Sequence, residues 1–172
     1  MNKNAWSSAS KDGLILALPA LADYALTSLF SLPTSLAPII WVAKTFLTIY
    51  LLIRLASRYG REETTFTYSN AFVYSLKVCF FSSILCTVFF VLNIFVIKPE
   101  LIGDFVSTII ISMESQGYSG ANLDYDSLMK VLPTSFTIVY FLYLMFCGVV
   151  FSSLTALRSK KNNNPFQPTE QA

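Results

Sequence analysis

Histidine is absent from this chain of 172 residues. That removes imidazole as a general base, the Ser-His and Cys-His nucleophile pairs, and every His-ligated metal site. Charge is scarce too. Asp, Glu, Lys and Arg make up 13% of the residues, about half of the ~25% usual in soluble domains. The formal net charge of +2 is too small to call for a nucleic-acid partner, and no basic stripe lies outside the flanks of the apolar runs. Cysteine is limited to Cys79, Cys86 and Cys147, all inside apolar runs and never in CxxC spacing. They read as small buried hydrophobes, not as a disulfide or a metal site. No nucleotide loop or nucleophile–base pair is visible. The expectation is a non-enzyme, with no catalytic residue, no cofactor and no metal.

Apolar surface is what the chain has in abundance. It is 54% hydrophobic and 15% aromatic, with a mean hydropathy of +0.57. A soluble globule of this size has no interior large enough for it, whereas a bilayer accommodates it. The sequence therefore predicts an all-α, polytopic membrane protein with a single membrane domain over 13–157.

The organising stretch is Gly13 to Arg58. Two apolar runs, about 14–32 and 36–55, are separated only by Pro33-Thr34-Ser35. Each is near the ~20 residues that a helix needs to cross ~30 Å of hydrocarbon. So short a link predicts a helical hairpin. The first run is too long for a signal-peptide core and is interrupted by Asp23, so it reads as a retained anchor. Asp23, Thr27 and Ser31 form a polar stripe expected to face other helices. Pro19, one turn before Asp23, predicts a kink.

Asp23 and Lys44 lie 11 and 10 residues from Thr34. At ~1.5 Å per residue both fall ~15 Å from the hairpin tip, level with each other near the midplane. An unpaired charge there costs at least ~2.5–3.5 kcal/mol. The two are expected to meet. Lys77, on the third run, is expected near the same level, where it shares Asp23, snorkels inward or sits neutral. Asp23, Lys44 and Lys77 thus form a candidate intramembrane charge cluster. It is either a register-fixing pair or part of a small-solute, ion or proton pathway.

The rest of the chain follows the same pattern. Met1–Asp12 reads as a tail or short surface helix with Trp6 at headgroup level. Pro38 suits the start of the second helix. A third span covers 70–97 within the apolar run Tyr68–Ile97, ended by Lys98-Pro99. Residues 99–132 carry an amphipathic helix at Ile102–Met113, expected to lie on the membrane through Phe105, Ile109 and Met113. Gly117–Gly120 breaks it. A fourth span, 133–157, is expected to open at Pro133. Gly148, Ser152 and Ala156 recur every four residues in it, a small-residue seam for helix packing. Residues 158–172 read as a disordered tail.

Orientation follows from the cations. Lys3, Lys11, Arg54, Arg58, Arg61, Arg158, Lys160 and Lys161 fall on one side; Lys98 and Lys130 fall on the other. Both termini are expected to be cytoplasmic.

The chain also resembles the bacterial family of domain of unknown function 4199. The points of likeness are the basic second link and Thr67-Tyr68-Ser69-Asn70-Ala71-Phe72 opening the third helix. Pro99 at its end, Pro133 before the last span, and Gly148 through Ala156 ahead of a Lys-rich end complete them. The resemblance covers nearly the whole chain. It implies a small four-span protein of the bacterial cytoplasmic membrane, and no activity. The expected partners are the lipid bilayer, further copies of the chain or other membrane proteins.

Overall fold

Long apolar runs without central glycine favour helix, and helix is what they form. The computed structural model describes residues 3–29, 37–62, 66–97, 99–115 and 125–159. In chain order the elements are α1 (Lys3–Leu29), α2 (Ala37–Glu62), α3 (Tyr68–Leu92), a π-helical turn (Asn93–Ile97), α4 (Glu100–Ser115) and α5 (Tyr125–Ser159). No strand occurs among the described residues. Among the described residues, three stretches are long and apolar enough to cross a membrane: Pro38–Arg61, Tyr68–Ile97 and Met129–Arg158. Their faces carry large exposed hydrophobics, among them Phe46, Val96 and Phe146. The Pro33-Thr34-Ser35 link, Ser31, Lys98, Gly117–Gly120 and the chain beyond Ser159 lie outside the described residues.

Several boundaries differ from the sequence expectation. α1 does not begin near residue 13; it runs unbroken from Lys3. Ala5 and Ala9 are buried, so two alanines spaced by one turn give the first segment a small face that packs. The helix also continues through Pro19. α5 does not open at Pro133 but starts at Tyr125 and carries that proline inside. The ring then removes the hydrogen bond that would reach the carbonyl of Met129. α3 opens where expected: Thr67 is extended (φ −79°, ψ 167°) and its hydroxyl accepts from the Asn70 amide at 3.4 Å. At its far end the helix loosens into the π turn, a feature the periodicity did not signal.

α3 sits at the centre. Its most extensive packing is against α5 and α1, with smaller contacts to α2. Small residues make that possible. Gly148 of α5 lies against Cys79 of α3, Ser152 donates to the Cys79 sulfur at 3.8 Å, and Ala156 is buried with Ala71 and Phe66. The seam Gly148, Ser152 and Ala156 thus faces α3. On the other side Gly13 of α1 meets Phe81 and the Val78 carbonyl of α3. α4 packs on α5, with Val106 fully buried and Phe105 edge-on to Phe136 at 4.9 Å. Phe105, expected to point into lipid, therefore also touches protein, while Ile111 stays exposed.

A β-carbon on Gly13 would fall 2.6 Å from the Phe81 β-carbon and 3.1 Å from the Val78 oxygen. Neither is a flexible side-chain end. Alanine gains ~1 kcal/mol as a helix former, against ~1–3 kcal/mol for overpacking. Gly13→Ala is therefore expected to lower the thermal stability of the detergent-solubilised protein. A Gly13→Ala protein that melts higher than the native one would show that helix propensity wins and that α1 and α3 are not pressed together there.

Candidate functional site

Two ionic contacts tie α1 to α2. In the first, the Lys44 ammonium donates to Asp23 Oδ2 at 2.5 Å. In the second, Arg58 Nη2 donates to Asp12 Oδ1. The spacing explains why both form. Asp12 and Asp23 are eleven residues apart on α1, close to three turns, so they share a face. Lys44 and Arg58 are fourteen apart on α2, close to four turns, and share a face too. Two antiparallel helices with matched faces meet twice, about 16–21 Å apart along their axes.

The two contacts have different surroundings. Asp12 is essentially buried, with 1% of its side chain exposed, whereas Arg58 keeps 59%. Its second oxygen accepts from the Tyr74 hydroxyl of α3 at 2.7 Å. Tyr74 is itself stacked on Tyr59 of α2, ring centroids 3.9 Å apart and nearly parallel. Thus one carboxylate of α1 binds a cation of α2 and a phenol of α3, and α2 also supports that phenol from behind. Ser8, Asp12, Arg58, Tyr59 and Tyr74 line a small cavity of about 190 Å³, room for several waters at ~30 Å³ each. The Asp23–Lys44 pair is only partly covered within the bundle. Beside Asp23 in sequence, Tyr24 donates to the Tyr140 hydroxyl of α5 at 2.7 Å, and Tyr140 stacks on Phe90 of α3 at 4.3 Å.

Lys77 stands apart from Asp23 and Lys44. Its ammonium lies 4.9 Å from the centre of the Trp6 ring, a cation–π contact. Trp6 is seventeen residues from Asp23 on the same helix, roughly 25 Å. The three residues grouped by the sequence therefore occupy two levels. The four-carbon stem lets Lys77 reach along α3 to an aromatic ring instead of a carboxylate.

Sequence reading missed Asp12, Arg58 and Tyr74 as a set. By composition Asp12 ends a polar tail or short surface helix, and Arg58 reads only as an orientation signal. The eleven- and fourteen-residue spacings were the available signal; Tyr74, one of nine tyrosines, gave none.

Chemically the arrangement is that of a crosslink. Each carboxylate is held by a cation. Among the described residues, no three of His, Cys, Asp and Glu come together as a group able to hold a metal ion. Comparison with family models, with curated proteins and with solved structures finds no match to this chain.

Two outcomes test the crosslinks. Asp23→Asn and Lys44→Gln singly are expected to lower the folded protein recovered from membranes, and the combination to restore much of it. If the double variant loses as much as the two singles added together, the residues do not act as partners. At the other contact the expected effects are unequal. Arg58→Gln leaves a buried carboxylate without its cation, a change of ~3–5 kcal/mol. Asp12→Asn leaves a guanidinium that already faces outward, so it is expected to destabilise much less. Equal losses in a thermal melt would contradict the burial difference.

Proposed function

We propose that this chain is a four-span, non-enzymatic unit of the bacterial cytoplasmic membrane that acts by associating with further copies of itself or with other membrane proteins. Both termini are cytoplasmic, and α4 lies on the outer side between the third and fourth spans. Membership of the family of domain of unknown function 4199 is part of the same reading and rests on the resemblance alone.

The observation that carries it is the pairing of Asp12 and Asp23 with cations of α2. Asp12 and Asp23 interrupt α1, and the three candidate spans among the described residues lie in the other long helices, α2, α3 and α5. Paired, the two carboxylates no longer carry the full ~2.5–3.5 kcal/mol that a lone charge costs in a bilayer. Twenty-seven residues of helix are ~40 Å long, enough to span. α1 also packs along α3, which is itself long enough to cross. The same pairing speaks against transport, since a conducting carboxylate must exchange its partner for the transported ion. The exposed apolar faces of α2, α3 and α5 then serve lipid and neighbouring helices.

Reporter fusions at Gly120 are expected to read as outside, and fusions after Gln171 as inside. A cytoplasmic signal at Gly120 would remove the topology. Chemical crosslinking in native membranes is expected to trap the chain with itself or with a second membrane protein. In sealed vesicles the purified protein is expected to carry no proton or ion flux. A flux abolished by Asp23→Asn/Lys44→Gln, in a protein that still folds, would replace this reading with the transport one.

A further inference from the structure

A second cavity shares Arg58 with the Asp12 cavity. It is a groove of about 540 Å³ between α1 and α2, lined by Ile15, Leu51, Leu55 and by Arg54, Arg58 and Arg61. The three arginines are spaced i, i+4, i+7 along α2, so they stand on one face over two turns, a rise of ~10 Å. All three are exposed. The floor is different in kind: Leu55 is buried, and Ile15 of α1 leaves 36% of its surface open. Arg58 is held in place by Asp12. Among the described residues no ion pair engages Arg54 or Arg61. The described lining of the groove thus carries three guanidinium groups and no carboxylate, and is positively charged.

We infer that this groove binds an anionic phospholipid. Its phosphodiester sits among Arg54, Arg58 and Arg61, and one acyl chain lies along Ile15, Leu51 and Leu55. Guanidinium groups match phosphate oxygens in geometry as well as charge, through paired N–H donors. The vertical order fits a lipid. The arginines occupy the final turns of α2, at the end of the candidate span Pro38–Arg61, where headgroups lie. Leu51 and Ile15 lie toward the hydrocarbon. Arg54, one to two turns deeper than Arg61, reaches the headgroup level along its own apolar stem. A free phosphate would satisfy the arginines but leave the apolar floor without a role.

The inference rests on the membrane-spanning reading, and the test separates the two. The full-length protein is reconstituted into phosphatidylcholine vesicles, and resistance to alkaline extraction is checked first. Loss at that step would refute the spanning reading itself and this inference with it. The association of spin-labelled phosphatidylglycerol is then compared with that of spin-labelled phosphatidylcholine. The native protein is expected to prefer phosphatidylglycerol about tenfold, in line with the attraction of clustered cations for anionic lipid. Arg54→Gln/Arg61→Gln is expected to abolish most of that preference. Arg58 is left in place, because its loss would strand Asp12. Arg54→Lys/Arg61→Lys keeps the charge and is expected to retain part of the preference. Lys160→Gln/Lys161→Gln, two cations of the C-terminal segment of the sequence, is expected to leave it unchanged. Equal association of the two lipids with the native protein would overturn the inference. So would a full preference in the Gln pair, or an equal loss in the Lys160/Lys161 pair. Displacement of the labelled lipid by inorganic phosphate as effectively as by unlabelled phosphatidylglycerol would mark a free-anion site and overturn it as well.

Discussion

A carboxylate packed among apolar helices needs a cation, and α1 carries two such carboxylates. Most of the bundle can be understood from that requirement. Asp23 takes Lys44 and Asp12 takes Arg58, so α1 is bound to α2 at two levels instead of one. A single pair would leave the hairpin free to swivel about the contact. Two pairs, three to four turns apart, fix both its register and its face. The inner pair does more, because the second oxygen of Asp12 also holds Tyr74 of α3. One buried carboxylate therefore joins three helices. A charge that would be a burden on α1 alone is the reason α1 has defined neighbours.

The remaining contacts come from size, not charge. In a bilayer, apolar side chains gain little by leaving lipid for protein, so close packing and hydrogen bonds must hold helices together. α3 meets this on both sides. Gly13 allows α1 to approach the backbone of α3 near Val78 and Ser82, and Gly148 allows α5 to approach Cys79. Gly60 makes room for the ring of Phe66, which is buried as the chain returns from α2 into α3. Three of only six glycines in the chain thus mark tight contacts. Aromatic pairs then fill the wider gaps, as Phe90 does on Tyr140 and Tyr59 on Tyr74.

The residues differ in how legible this was. Helix class was plain from composition, and the three long apolar helices lie where the apolar runs placed them. Asp23 and Lys44 could be matched by counting from Thr34, since depth along an antiparallel hairpin is set by residue number alone. Lys77 could not be placed that way. Its level depends on how α3 docks, and a flexible stem chooses between a carboxylate and a ring by proximity. Asp12 was hidden by its own neighbourhood. Lys3, Lys11 and a serine-rich stretch surround it, and polar composition suggested a tail. Ala5, Ala9 and Asp12 are the buried positions of that segment. Pro133 misled in the opposite direction. Proline suits a helix start, but in α5 helix on both sides of it overrides that preference.

On the four-span reading proposed above, the two ionic levels also bear on how the hairpin enters a bilayer. Presented alone, α1 would carry two uncompensated carboxylates, and α2 would carry Lys44 at mid-span. Each lone charge at the centre costs ~2.5–3.5 kcal/mol, whereas the pair costs less, since each charge screens the other where water is scarce. The favourable intermediate is therefore α1 and α2 together, joined by their short link and already paired. α3 can join afterwards, because its Tyr74 hydroxyl adds to an Asp12 that Arg58 has partly neutralised. α5 presents only small residues and hydroxyls to α3 at the seam, so its docking needs no charge to be matched. Charge sets the order of the first half of the bundle, and shape closes the second.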